Sequence, residues 1–316
     1  MRKMGLITPL FGLLLLSACT MFQTPTADQP TPKPGTATPL VPTPVVPTPL
    51  PDIPGISPEQ VRNSQYQLGF TDQIRTVQLK DGQYQEGSLN DTDYLSVSVT
   101  DFIARGDLNG DGENEAVAIV AENYGGSGTF VFLVVYQYLN EKAVFLTSIF
   151  LDDRPLINHL AVENGEIFID VVVHDKEDPM CCPTYATTRR YLLNGTNLIL
   201  TGYSTETPAG KPRVITIEAP VEGAQVSGII RLKGNITIAP FENNLVYRVY
   251  DLGGVELSAG PISVEATAPG VSGSFEKAID LGNIITNTTI RITIEDINVE
   301  DGSLFAMDAV ILQVRE

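Results

Sequence analysis

The sequence of 316 residues has no tryptophan, two histidines and three cysteines. Metal sites built from several histidines or cysteines, and small domains held by many disulfides, need more of these residues than the chain supplies. Basic residues are also scarce, because 20 Lys and Arg stand against 38 Asp and Glu and give a net charge of −18. Such a chain repels phosphate backbones. The composition therefore argues against nucleic-acid binding and against most familiar catalytic centres.

The first 18 residues have the composition of a secretory signal. Arg2 and Lys3 precede an apolar run with four consecutive leucines, and the run ends in small residues. The sequence Leu16-Ser17-Ala18-Cys19 resembles the lipobox of bacterial lipoproteins. The resemblance implies that residues 1–18 are removed and that Cys19 carries a lipid such as palmitate. The protein would then be extracytoplasmic and anchored to the bacterial cell membrane; an uncleaved anchor helix, or an ordinary secretory signal, is the alternative.

Residues 19–57 form a segment of different composition, which we interpret as a stalk. Eleven prolines, interleaved mainly with threonine, lie between residues 20 and 57. Proline lacks a backbone donor and fixes φ, so this segment favours extended polyproline geometry over a packed core. At about 3.1 Å per residue it could hold a folded region roughly 100 Å from the lipid.

Residues 58–206 predict a mostly antiparallel β domain that begins with a short helix. Ser57 and Pro58 are typical of a helix start. Asn164-Gly165 and Asn194-Gly195 each separate two β-type runs and predict hairpin turns. The run Thr129–Tyr138 is apolar on both faces, which predicts a central strand.

The stretch from Asp107 to Glu115 has the spacing of a calcium loop. Oxygen-bearing side chains occupy its first, third and fifth positions and Gly112 its sixth, an arrangement that lets oxygens converge on one hard cation. The loop resembles the short calcium loops of FG-GAP and related repeats, since its last acid is at position nine and strand patterns flank it. The predicted ligands are Asp107, Asn109, Asp111, the carbonyl of Glu113, and Glu115. The alternative is a metal-free turn in which these side chains bond their own backbone.

The adjacent residues Cys181 and Cys182 are unusual in an exported chain. Two thiols that remain after Cys19 is lipidated are expected to oxidise in that compartment. Neighbouring Cα atoms lie about 3.8 Å apart, below the usual disulfide range. A vicinal disulfide between them would therefore be strained and reducible, which suits redox chemistry, and the alternative is a rigid structural turn between Pro179 and Pro183.

Residues 213–316 predict an immunoglobulin-like β-sandwich, because short β-branched runs recur between turns over about 100 residues. Several strings resemble the immunoglobulin-like Gmad family, which is associated with bacterial spore-germination lipoproteins. They are Ala219-Pro220, Gly223-Ala224, Gly234, 241–244, 247–251, Gly254, Gly273-Ser274-Phe275 and Asp301-Gly302-Ser303. The resemblance implies fold and envelope location. In the domain before it, a series of strings is similar to a domain of uncharacterised exported bacterial proteins, for which no activity carries over: 63–68, 106–112, 125–128, Asp153-Arg154 and 178–183.

Two functions remain open at this point. The first is a non-enzymatic surface lipoprotein that presents β-rich binding or structural domains, with calcium as candidate cofactor and an envelope protein or glycan as partner. The second is an extracytoplasmic redox protein or hydrolase with its site in the first domain. The scarcity of catalytic residue types favours the first, so we expect no enzymatic activity.

Overall fold

The computed structural model describes residues 54–71, 74–89 and 91–316. Cys19, the signal segment and the stalk up to residue 53 lie outside the described residues. Within them the fold is mainly β, with antiparallel sheets and a short helix near the start, as the sequence predicts. None of the described helices is long and apolar enough to cross a membrane.

The helix α1 (Pro58–Arg62) begins as the sequence predicts. The Ser57 hydroxyl accepts a hydrogen bond from the Gln60 amide at 3.2 Å, and the Gln60 side chain accepts one from the Ser57 amide at 2.7 Å. This reciprocal cap satisfies two amides that the first turn leaves unpaired. A two-stranded sheet of β1 (Gln65–Gln67) and β2 (Thr76–Gln78) follows.

A five-stranded antiparallel sheet forms the centre of residues 58–206, the first region. Its strands, in spatial order, are β3 (Gln83–Glu86), β4 (Leu95–Gly106), β5 (Glu115–Asn123), β6 (Phe130–Leu139) and β7 (Lys142–Asp153). The prediction of a central strand over Thr129–Tyr138 is confirmed, because β6 pairs with a strand on each side. Val134 on one face packs in a cluster with Val61 and Tyr66, beneath α1 and β1. Leu133 on the opposite face packs in a separate cluster.

The remaining strands belong to one extended sheet. They are β8 (Leu156–Glu163), β9 (Glu166–Val173), β10 (Tyr185–Asn194), β11 (Asn197–Glu206), β12 (Pro212–Arg213), β13 (Ile215–Ala219), β14 (Gln225–Val226), β15 (Ile229–Ile236), β16 (Asn244–Asp251), β17 (Glu256–Glu265), β18 (Gly273–Asp280), β19 (Thr288–Ile297) and β20 (Leu304–Val314). Its main order is β13-β15-β18-β17-β16-β19-β20-β11-β10-β9-β8. Ile167 and Ile169 of β9 pack in one cluster with Leu133 of the five-stranded sheet.

The part of this sheet after residue 213 folds back on itself as a β-sandwich. Strand β17 pairs with β16 along residues 244–250 of that strand, whereas its last residues, Val264 and Glu265, pair with β18. It therefore passes from one layer to the other. Alternate side chains of the two layers, including Leu232, Val249 and Ile292, fill the core between them.

The sheet continues from the first region into residues 213–316, the second region. Gly202, Tyr203 and Ser204 of β11 pair with residues 306–308 of β20. Thr205 is 1% exposed, and its hydroxyl donates to the Phe305 carbonyl at 2.7 Å. Backbone pairing between β11 and β20 therefore joins the two regions directly, in addition to the segment 207–211 that connects them along the chain.

The two Asn-Gly hairpins form with different turn centres. Asn164 and Gly165, with φ of 53° and 81°, are the two residues between β8 and β9. In the second hairpin Asn194 still pairs with Asn197, so that the loop consists of residues 195 and 196. The Asn194 side chain donates instead to the Leu252 carbonyl at 3.0 Å. A tertiary contact thus holds Asn194 in the strand and shifts the turn by one residue.

Candidate functional site

The predicted calcium loop connects β4 to β5, so strands flank it as the sequence predicts. Gly110 and Gly112 have φ of 81° and 87°, in the left-handed region that favours glycine. Leu108 is buried, whereas residues 109–112 are exposed. The buried Leu108 fixes the loop to the core, and its tip projects into solvent.

Side chains in this loop accept hydrogen bonds from the backbone amides that follow them. The Asp107 carboxylate accepts from the Gly110 amide at 2.6 Å and the Gly112 amide at 2.9 Å. Asn109 accepts from the Asp111 amide, and Asp111 accepts from the Glu113 amide, each at 2.8 Å. These successive Asx turns curl the loop so that its polar side chains share one region.

Glu115 is the buried end of the loop. It is fully buried, and its Oε2 accepts from the Leu108 amide at 2.9 Å. The Asn109 Nδ2 donates to the Glu115 Oε1 at 3.2 Å and to the Asp111 Oδ2 at 2.9 Å. A single amide group therefore bridges two carboxylates that would otherwise repel each other.

The two ends of the loop differ in their electrostatics. Burial raises the pKa of Glu115, and the nearby charges of Asp111 and Asp107 raise it further, although the Leu108 amide opposes the shift. By contrast, the backbone amide of Gly112 lowers the pKa of Asp107. A carboxylate that is buried near other acids gains from a cation, which offsets both the burial and the repulsion.

The donor chemistry of the loop fits a hard cation in the sense that its polar side chains offer oxygens. Among residues 54–71, 74–89 and 91–316, however, no group of three or more His, Cys, Asp or Glu side chains is close enough to hold a metal ion. In this conformation Asn109 turns its amide nitrogen toward the two acids. For calcium binding, the Asn109 Oδ1 rather than the Nδ2 would have to face the ion. Calcium coordination at this loop remains a prediction.

Cys181 and Cys182 are joined by a disulfide in the exposed loop between β9 and β10. The Cys182 amide donates to the Pro179 carbonyl at 2.9 Å, which closes a tight turn. The Asp178 carboxylate accepts from the Asp175 amide at 2.8 Å and from the Thr184 amide at 2.7 Å. The contacts around the pair are those of a braced turn.

An Asp-His pair supports the base of this loop. Asp152 Oδ2 accepts from the His174 amide at 2.5 Å and lies 2.9 Å from the His174 Nδ1. The His174 side chain is 14% exposed. The hydrogen bond with Asp152 raises the pKa of His174, because it favours the charged imidazolium, while burial opposes the shift.

We expect His174 to titrate above its ordinary pKa of about 6.5. The chain has only two histidines, so NMR of the imidazole protons during a pH titration can follow each one. Because the folded-state pKa is raised, the stabilisation from this pair is complete below about pH 6.5 and is lost as the pH rises through the folded value. Asp152→Asn should return the His174 pKa to or below the ordinary value. An unchanged titration in that variant would contradict the assignment.

A buried polar centre that sequence reasoning missed lies at Glu122. This fully buried carboxylate accepts from the hydroxyls of Tyr66 and Tyr124, both at 2.6 Å, and from the Gly69 amide at 2.8 Å. The sequence signal was a single acid inside an apolar strand. Tyr124 is two residues away, but the other two donors, Tyr66 and the Gly69 amide, are 56 and 53 positions away, so the local pattern could not identify the centre.

The structure keeps the predicted site residues in two separate groups. Asn109, Asp111 and Glu115 share one side-chain hydrogen-bond network, Asp107 accepts from the Gly110 and Gly112 amides of the same loop, and Glu113 is half-buried beside them. The cysteine pair lies in the other loop, above His174. Among the described residues, no hydrogen bond joins the two loops. Compared with models of known protein families and with curated proteins, the chain matches none.

Proposed function

We propose that the protein is a non-enzymatic, surface-anchored envelope lipoprotein. In this proposal lipid on Cys19 anchors the chain, the Pro/Thr-rich segment is a stalk, and the two β-rich regions present binding surfaces to an envelope protein or glycan. Calcium braces the first region. The resemblance of residues 213–316 to the Gmad family supports the envelope location.

The observation that carries the proposal is the attachment of the stalk's end to the candidate calcium loop. The Asn114 amide donates to the Pro54 carbonyl at 2.8 Å, and the Ile56 amide donates to the Asn114 carbonyl at 3.1 Å. Ile56 itself is fully buried. A force along the stalk would therefore reach the fold next to Glu115. An ion at this position would stabilise the point where the tether meets the core.

In the calcium-bound loop, Asp107, Asn109 and Asp111 would supply side-chain oxygens. Glu113 would supply its backbone carbonyl, and Glu115 its carboxylate. The bound ion would offset the burial of Glu115 and the repulsion among the acids. These residues would all be engaged in holding the ion, which is a structural role and not a catalytic one.

Calcium should raise the thermal stability of the full chain. Binding to the folded state alone contributes about 2.7 kcal/mol at a hundredfold excess over Kd, which raises the midpoint by about 5–10 °C for a domain of this size. Thermal unfolding with millimolar calcium and with chelator measures the effect, and magnesium at the same concentration is the control. An unchanged midpoint, together with no heat in calorimetric titration, would show that the loop is a metal-free turn.

Asn109→Asp sharpens this experiment. The variant replaces the amide that bridges Asp111 and Glu115 with a further carboxylate. Without calcium it should be less stable than the natural chain, because the bridge is lost and charge is added. With calcium the difference should shrink or reverse, since ligand charge increases affinity. Equal destabilisation in calcium and in chelator would contradict a metal at this loop.

The anchor has its own test in the intact mass of the native protein. We expect a mass that lacks residues 1–18 and carries diacylglycerol and acyl groups on Cys19. Cys19→Ser should give a chain that is recovered without lipid and is no longer held at the membrane. An unmodified Cys19 or a retained Met1 would contradict the lipid anchor while leaving the calcium result untouched.

An extracytoplasmic redox protein is the second candidate, favoured by the exposed disulfide between Cys181 and Cys182. Incubation with glutathione couples of increasing reducing strength, followed by a count of free thiols, separates the two functions. If the Cys181–Cys182 disulfide is reduced within the range of potentials that glutathione couples cover, redox chemistry is supported. A pair that stays oxidised throughout serves the structure of the loop.

A further inference from the structure

A cavity of about 620 Å³ opens at one end of the β-sandwich, within the size range of ligand pockets. Three stretches of the second region line it: residues 238–242 with 244 and 246, the turn at 269–270, and residues 295–299, together with the side chains of Arg213 and Phe305. The residues that matter for its chemistry are Arg213, Phe241, Glu242, Asp296, Val299 and Phe305. None of them belongs to the calcium loop or to the cysteine loop.

Asp296 is a buried acid in the wall of this cavity. It is 3% exposed, and its Oδ2 has no hydrogen-bond partner. Arg213 forms an ion pair with that oxygen at 3.6 Å, a separation beyond ordinary hydrogen-bond distance, and its guanidinium lies over the Phe305 ring at 4.4 Å. A buried carboxylate oxygen without a donor is unfavourable. A ligand that brings a donor to this oxygen would remove that cost.

The rim of the cavity is apolar and open to solvent. Phe241 is 87% exposed and Val299 is 90% exposed, although the exposure of large apolar side chains to water is unfavourable. Glu242, also on the rim, is exposed and adds negative charge. The whole chain carries a net charge of −18, which attracts basic partners over a distance. Among the charged residues that line the cavity, Glu242, Glu295 and Asp296 outnumber Arg213, so a net acidic lining is combined with an apolar edge.

We propose that this cavity binds a segment of a partner protein in which a lysine lies between apolar residues. The ammonium group would donate a hydrogen bond to the Asp296 Oδ2 and share this carboxylate with Arg213, and the flanking apolar side chains would cover Phe241 and Val299. Lysine suits the site because its slender stem carries a compact group with three donors. The proposal goes beyond the surface-lipoprotein function, since it requires neither lipid on Cys19 nor calcium at the loop.

Three labelled peptides of equal length test the proposal by fluorescence anisotropy with the full chain. The first has a lysine between two leucines, the second has glutamine in place of lysine, and the third has serines in place of both leucines. We expect the first to bind at least about tenfold more tightly than the other two, because only it offers both contacts. Equal binding of all three, or no binding of the first at millimolar concentration, would overturn the proposal.

Two matched pairs of variants locate the binding. Asp296→Asn should weaken the lysine-leucine peptide about tenfold, while Asp280→Asn, at an exposed acid in β18, should leave it unchanged. Equal losses in both would show general charge attraction and overturn the proposal.

Phe241→Ala removes a side chain that the fold leaves in solvent, so it decides the question even if Asp296→Asn unfolds. It should weaken binding, whereas Ile229→Ala, 69% exposed in β15, should not; an unchanged Phe241→Ala affinity would overturn the proposal.

Discussion

Arg190→Met should lower the free energy of unfolding of the full chain by about 3 kcal/mol. Arg190 of β10 forms an ion pair with Glu166 at 3.3 Å and donates to the Asp308 carboxylate of β20. Asp308 is 9% exposed, and burial raises its pKa. Methionine keeps the apolar stem but leaves Asp308 without its cation. The expected cost is at the low end for a buried pair, because the Arg190 side chain is 38% exposed.

Urea unfolding followed by far-UV circular dichroism and by tyrosine fluorescence measures this effect. We expect both signals to change in one transition, because β11 and β20 are paired across the two regions. Arg231→Met is the matched control: Arg231 pairs with Glu276 at 2.8 Å but is 74% exposed, so its loss should cost about 0–1 kcal/mol. Similar small effects for both variants would show that the Arg190 network does not hold the regions together.

The sequence predicted the local features of the first region well. The helix cap at Ser57, the hairpin at Asn164-Gly165 and the strands around the candidate calcium loop each depend on residues close together in the chain. It could not predict the continuous sheet between the regions. Arg190 and Asp308 are 118 positions apart, and a contact over that separation leaves no local pattern.

Strand β17 is a second feature that the local sequence does not predict. Gly260 and Pro261 interrupt its centre, and because both residues are uncommon inside strands, the local sequence does not indicate a strand here. Ile262 and Val264 nevertheless alternate into the core with exposed neighbours between them. A Cβ at Gly260 would lie 2.8 Å from the ring of Tyr247 on the paired strand, so a larger residue here would have to displace that ring.

The candidate calcium loop was predictable in its position and only partly in its geometry. Residue types and spacing placed oxygens at alternate positions, and the Asx turns follow from that order. The orientation of the Asn109 amide depends on the burial of Glu115, which the fold determines. Spacing therefore indicated which residues meet but not which atoms face each other.

Gly234 and Phe275, two of the residues on which the Gmad resemblance depends, have a direct physical explanation. They pair across β15 and β18. A Cβ on Gly234 would lie 2.5 Å from the Phe275 ring and 2.1 Å from the Thr216 carbonyl oxygen of β13. The ring covers the glycine, and the absent side chain lets β13 approach. An aromatic side chain that covers a cross-strand glycine is a recognised way to fix strand register.

Gly234→Ala should therefore destabilise the full chain by about 3 kcal/mol or more, which is at or above the upper end for overpacking. The added methyl group meets a backbone oxygen, which cannot turn away as the end of a flexible side chain can. Urea unfolding measures the change, and we expect a lower midpoint with an unchanged slope, because the surface exposed on unfolding stays the same.

Gly126→Ala is the matched control for this substitution. A Cβ at Gly126 meets only the Gly128 amide, at 4.0 Å, so the change should alter stability by no more than about 0.5 kcal/mol. Phe275→Ala provides an independent check, since Phe275 is 3% exposed and its loss would uncover Gly234 and leave a cavity. If Gly234→Ala were as mild as Gly126→Ala, β13 could move away from β15 freely. The close approach of these strands would then not be what requires glycine at this position.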